Sequence, residues 1–175
     1  MTLPIDASYW LIEGQLMAGE YPGALTEDDA RVKLAGLLDI GIRSFIDLTE
    51  KIDPLEPYED VLSDVARQKG IDVVYERIPI RDMSIPTTER MTQILARIEG
   101  ELGAGRPVYF HCWGGIGRTG TVSGCWLVEK GHGCDEALAL IKQLRQSTPD
   151  GWKESPQTSE QVALVRKWEG ARGRG

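Results

Sequence analysis

Histidine and cysteine are scarce in this chain, with two histidines (His111, His132) and three cysteines (Cys112, Cys125, Cys134) in 175 residues. There is no Cys-x-x-Cys pair, which excludes a zinc ribbon, and two histidines do not furnish a histidine-rich centre, so no metal is expected. Three cysteines without paired spacing also argue against a disulfide framework and suit a reducing compartment. Long apolar runs are missing too, and no stretch approaches the roughly 18 residues a membrane-spanning helix needs. The first residues, MTLPIDASYW, show no basic segment followed by an apolar core, so the expected location is cytoplasmic. Positive charge is not in excess. The formal net charge of −7 weighs against a nucleic-acid partner and against a general membrane-surface protein.

What is present fits one domain. A hydrophobic content of 41% and a charged content of 27% are ordinary for a globular protein. WLIEGQLMAGEYPG reads as two short strands around Gly14, closed by a turn at Tyr21-Pro22-Gly23. Thr26 caps a helix with Val32, Leu34, Leu37 and Leu38 on its apolar side. RSFIDLT and IDVVYERIPI read as strands, separated by a helix of about residues 58–69 that Gly70 stops. RDMSIP is a loop, and Thr87 or Thr88 caps a helix that buries Met91, Ile94, Leu95 and Ile98. PVYFH is an apolar strand, and a helix from Thr119 to about Lys130 follows its loop. Two more helices are expected near 134–146 and 158–169. Alternating strands and helices give an α/β domain over residues 1–175, with a mixed sheet of about five strands and helices on both faces. A tail fraying from about residue 170 completes it.

The loop HCWGGIGRTG, residues 111–120, admits two chemistries. Its G-I-G-R-T-G portion formally matches a dinucleotide fingerprint. That reading needs a second parallel strand ending in an acidic residue, and here the chain enters another helix instead. The other reading uses every residue. Cys112 stands at a strand end, ringed by the backbone N–H groups of Trp113, Gly114, Gly115, Ile116 and Gly117 and facing a helix N-terminus. The thiolate is the nucleophilic form of cysteine, and a helix N-terminus plus a cation favours it. Arg118 offers a planar fork for two phosphate oxygens. Thr119 can donate its hydroxyl to the sulfur, and His111 fixes the loop through backbone hydrogen bonds. Cys125, mid-helix, reads as core.

H-C-x-x-G-x-G-R-T-G resembles the signature of the cysteine-dependent protein tyrosine phosphatase superfamily, in its small dual-specificity or prokaryotic-type branch. The resemblance implies that fold over most of the chain, with Cys112 as nucleophile, Arg118 as phosphate holder and no cofactor. It further implies an aspartate on a mobile loop about 30 residues before the cysteine, and Asp82 lies 30 residues before Cys112. That acid would protonate the leaving oxygen, a contribution of typically 10²–10⁴-fold. SPQTSEQ is similar to the family's water-positioning Q-T-x-x-Q element, which makes Gln157 and Gln161 candidates. The activity implied is hydrolysis of phosphotyrosine in proteins, with phosphoserine and phosphothreonine also open, through a phosphocysteine intermediate. A phosphoinositide or inositol-polyphosphate phosphatase is the alternative, disfavoured because Trp113 and Ile116 stand where lipid-directed relatives often carry lysine. A catalytically weak module binding phosphorylated proteins is a third, disfavoured by Cys112, Arg118 and Asp82 together. Trp113, Trp152 and Tyr21 could line the mouth. Oligomeric state is not legible.

Overall fold

Short apolar strands broken by glycine and proline pair here into one sheet. The computed structural model describes residues 3–168, so the tail expected from about residue 170 lies outside them. Strands β1 (Ser8–Ile12) and β2 (Leu16–Gly19) form the expected hairpin. Thr26 accepts the Asp29 N–H at 3.2 Å and starts α1 (Glu27–Asp39), which leads to β3 (Ser44–Asp47). Helix α2 (Glu59–Lys69) stops at Gly70, whose φ of 67° is the left-handed conformation glycine adopts without strain. Strand β4 (Val74–Arg77), helix α3 (Thr88–Gly103, capped by Thr87), strand β5 (Val108–His111) and helices α4 (Gly117–Glu129), α5 (Cys134–Leu144) and α6 (Ser159–Lys167) follow.

The sheet runs β1-β2-β5-β3-β4, with β1 antiparallel and the rest parallel. Side chains alternate between its faces. Ile46, Val108 and Phe110 join the core under α3, α4, α5 and α6, while Met17, Phe45 and Tyr109 join the one under α1 and α2. The register puts Gly19, His111, Asp47 and Arg77 in one row at the carboxyl ends of the parallel strands. Their following loops therefore start at one level around β5, the central strand. Ligands of open α/β sheets bind at such an edge. Among the described residues, no helix is long and apolar enough to cross a membrane.

Three expectations need correction. Val32 is 74% exposed, because it stands about 200° of helical rotation from Leu34 and so faces away from the core. The fourth strand is shorter than IDVVYERIPI. Pro79 lacks an N–H and interrupts the ladder, although Ile78 and Ile80 still donate to the Asp47 and Leu48 carbonyls at 2.9 and 3.0 Å. Helix α4 begins at Gly117, two residues earlier than Thr119, so Arg118 belongs to its first turn.

Candidate active site

Cys112 follows the central strand directly and is 3% exposed. Trp113 and Gly114 arch outward, and the chain folds back at Gly115, where φ is 67°. A Cβ there would sit 2.6 Å from the Gly19 carbonyl carbon and 2.7 Å from the Glu20 nitrogen, so only glycine lets the loop meet the end of β2. The Tyr21 N–H donates to the Trp113 carbonyl at 2.9 Å and pins the outer arm. Ile116 precedes α4 without any side-chain cap, and the first turn carries no acidic residue. The first N–H groups of a helix have no intrahelical acceptor, and here they open toward the loop with the positive end of the dipole.

Arg118 is 1% exposed. Its Nη1 donates to Asp53 Oδ2 at 2.8 Å and to the Ile80 carbonyl at 3.1 Å. Nη2 lies 3.2 Å from Asp82 Oδ1 as an ion pair without hydrogen-bond alignment. Nε and Nη2 have no hydrogen-bond partner among the described residues. Burial opposes this charge, yet the Asp53 hydrogen bond and the neighbouring Cys112 hold the Arg118 guanidinium above its ordinary value, so it stays cationic. A buried cation with one corner tied and the Nε/Nη2 edge unmatched is shaped to grip two oxygens of one anion.

Behind the loop lies a buried polar network. His111 Nδ1 sits 3.1 Å from the Cys112 carbonyl and Nε2 lies 2.7 Å from the Tyr58 hydroxyl. A carbonyl only accepts, so Nδ1 carries the proton and Nε2 accepts from Tyr58. Burial lowers the His111 pKa, with Asp47 and the Cys112 carbonyl opposing more weakly, and the ring is neutral. Asp47 is fully buried and accepts from Thr49, Tyr75 and Arg77. Burial would raise its carboxyl, but the Thr49 and Tyr75 hydrogen bonds act the other way, and Asp47 is held below the usual range.

Asp82 is half exposed on the β4–α3 loop, next to Met83, whose φ of 58° is left-handed without being glycine. The amide heads of Gln157 and Gln161 sit over Gly117, where a Cβ would lie 3.1–3.2 Å from them. Gln157 is exposed, whereas Gln161 is fully buried with its amide in use. The Thr119 hydroxyl donates to the Gly19 carbonyl at 3.3 Å, so its one proton is not directed at the sulfur as expected. Tyr21 is mostly buried, its hydroxyl donating to the Glu56 carbonyl at 2.9 Å and pushed up to about 12 by burial, and its ring edge borders a cavity with Thr49, Asp53 and Arg77. Burial also pushes the Cys125 thiol up, which fits a core residue.

Asp53 and Tyr58 escaped the sequence reading. Asp53 precedes a proline in a turn, which is a sufficient local reason for an aspartate. Asp47 did leave a signal, since a carboxylate inside the apolar strand SFIDL needs buried partners.

A family model described as a polymorphic toxin system DSP-PTPase phosphatase matches residues 23–132. That span holds Asp82, Cys112 and Arg118 and ends before Gln157. The crystal structure of Tk-PTP in the active form superposes with a TM-score of 0.70 at 26% identity, covering 93% of this chain and 96% of that one. PTPMT1 in complex with PI(5)P gives a TM-score of 0.68 at 18% identity, over 92% and 94%, and shares the fold. The uncharacterized protein MJECL20 of Methanocaldococcus jannaschii is 47% identical over 49 residues, 28% of this chain, so the match spans about a third of that relative's length, 33%.

Proposed function

Because the chain belongs to the DSP-PTPase phosphatase family, we propose that it hydrolyses phosphotyrosine in proteins, and phosphoserine or phosphothreonine more slowly, through a phosphocysteine. Residues 1–175 act as one phosphatase domain in this reading. The observation that carries it is the buried Arg118 guanidinium, tied at Nη1 and unmatched along Nε and Nη2, in the same loop as Cys112. That edge holds two non-bridging phosphate oxygens. The backbone N–H groups of residues 113–118 and the start of α4 receive the rest of the charge.

The Cys112 thiolate attacks phosphorus. The S–P bond forms as the ester P–O bond breaks, and Asp82 gives its proton to the departing oxygen. The Asp82 carboxylate then takes a proton from water as that water attacks phosphorus. Inorganic phosphate and the thiolate are released. Gln157, exposed over Gly117, orients the water. The five residues between Cys112 and Arg118 include no cation to meet a second phosphate, and half-exposed Trp113 offers an aromatic face to a phosphoaryl group.

The test is a side-by-side assay of phosphotyrosine, phosphoserine and phosphothreonine peptides, phosphoinositides and inositol phosphates, with wild type and Cys112→Ser. Phosphotyrosine peptides should turn over fastest, and Cys112→Ser should retain phosphoester binding without turnover. Activity surviving in Cys112→Ser would overturn the mechanism. A preference for inositol phosphates would overturn the substrate.

A further inference from the structure

Gln161 is fully buried in the first turn of α6, and both ends of its amide are occupied. Oε1 accepts the N–H groups of Gln157 and Thr158, each at 3.1 Å, while the Gln161 N–H donates to Thr158 Oγ1 at 3.2 Å. Two backbone donors on one atom identify that atom as the oxygen. Nε2 therefore points the other way, and it donates to the Ser84 carbonyl at 3.1 Å.

Ser84 is two residues beyond Asp82, on the same loop. Between them stands Met83 in the left-handed region at φ 58°. A non-glycine residue keeps that conformation only when contacts on both sides require it. On one side Asp82 Oδ1 pairs with Arg118 Nη2 at 3.2 Å, and on the other Ser84 is held by Gln161. Within the loop, the Ser84 N–H closes onto the Arg81 carbonyl at 3.2 Å.

We infer that Gln161 is a positioning residue that latches the Asp82 loop over the phosphate cradle, rather than a holder of the hydrolytic water. Its Oε1 is filled by the α6 cap, which leaves water orientation to Gln157. This inference rests on Asp82 being the general acid. Losing the latch should impair proton donation in proportion to the leaving group's need for a proton.

The test replaces Gln161 by Glu, which is close to isosteric. A carboxylate at the start of α6 still accepts from Gln157 and Thr158 and is favoured there by the helix dipole. It has no N–H for the Ser84 carbonyl. Gln161→Met, which removes the acceptor for the Gln157 and Thr158 N–H groups as well as the N–H to Ser84, is the second variant if the carboxylate is not tolerated, its Tm reporting the lost cap. Each is assayed with aryl phosphates spanning acidic and weakly acidic phenols, alone and combined with Asp82→Asn, with burst kinetics and Tm recorded. The latch predicts roughly 10-fold slowing for weakly acidic phenols, within the 10²–10⁴-fold ceiling of the acid itself. It predicts little change for acidic phenols and no added loss in the Asp82→Asn background. An unchanged leaving-group dependence with a slower phosphocysteine hydrolysis would overturn it in favour of a water-positioning role. Equal slowing of all substrates that persists beside Asp82→Asn would overturn it in favour of a purely structural one. If Asp82→Asn alone shows no leaving-group dependence, Asp82 is not the acid and the latch falls with it. If Asp82→Asn shows the dependence and neither Gln161 variant does, only the latch falls.

Discussion

Asp53 grips Arg118 from the side facing away from the guanidinium's unmatched edge, with Oδ2 at 2.8 Å from Nη1. The same oxygen accepts the Glu50 N–H at 3.0 Å, so the carboxylate is itself fixed by the turn that carries it. Both side chains are nearly inaccessible to water, at 0% and 8% exposure. The pair orients the fork and leaves the Nε/Nη2 edge without a hydrogen bond among the described residues, with Asp82 Oδ1 3.2 Å from Nη2.

Asp53→Ala should leave that cation partly uncompensated. Breaking one side of a buried pair costs about 3–5 kcal/mol, and the Ile80 carbonyl and Asp82 should keep the loss near the lower end. Denaturant unfolding should show the loss, and added phosphate or vanadate should restore more stability in the variant than in the wild type. A variant as stable as wild type would show that Asp53 does not hold Arg118 in solution.

Arg118→Lys keeps the charge and loses the fork. An ammonium cannot present two parallel donors, so kcat/KM for phosphate esters should drop on the order of 10²–10³-fold, the scale for removing one preorganised donor. Steady-state kinetics and vanadate inhibition should fall together. Near-wild-type values for both would assign the phosphate to the loop N–H groups alone.

Gly115→Ala should damage stability and turnover at once. A left-handed non-glycine residue costs on the order of 1–3 kcal/mol, and the added Cβ would press on the Gly19 and Glu20 backbone, which has no freedom to withdraw. A lowered Tm with a lowered kcat is expected. A change in neither would mean that the loop relaxes without harm.

His111 gives stability a pH dependence of definite sign. Its pKa is lowered on folding, chiefly by burial. Above the unfolded value of about 6.5 the imidazole is neutral in both states. As pH falls through that value, the unfolded chain takes up a proton that the folded chain refuses, so stability declines toward the lower folded pKa. The slope should approach about 1.4 kcal/mol per pH unit for one proton. Urea unfolding from pH 8 to 5 should show it in the wild type and not in His111→Asn. An identical slope in both proteins would move the effect to another group.

The strand, loop and helix around Cys112 were legible because their determinants are local. An apolar run, three glycines and a second apolar run specify that unit without reference to the rest of the chain. Leu34, Leu37 and Leu38 likewise declared their helix face by spacing alone. Asp53 and Ser84 were opaque for the opposite reason. Asp53 sits 65 positions from Arg118, Ser84 sits 77 from Gln161, and nothing in the neighbours of either residue specifies the meeting. The Thr119 hydroxyl was misread because its acceptor, the Gly19 carbonyl, comes from a strand 100 positions earlier. The sheet order, which sets β2 beside β5, creates that contact.

Arg118 starts on α4 and ends against two separate crossovers, the turn at Asp53 and the segment after β4 that supplies the Ile80 carbonyl. A refolding intermediate in which the edge strand β4 has not yet docked cannot assemble this fork, however native the Cys112 loop is. Turnover therefore doubles as a readout of complete assembly. During refolding, activity should return with the slowest-docking edge of the sheet, later than the far-ultraviolet signal of the helices.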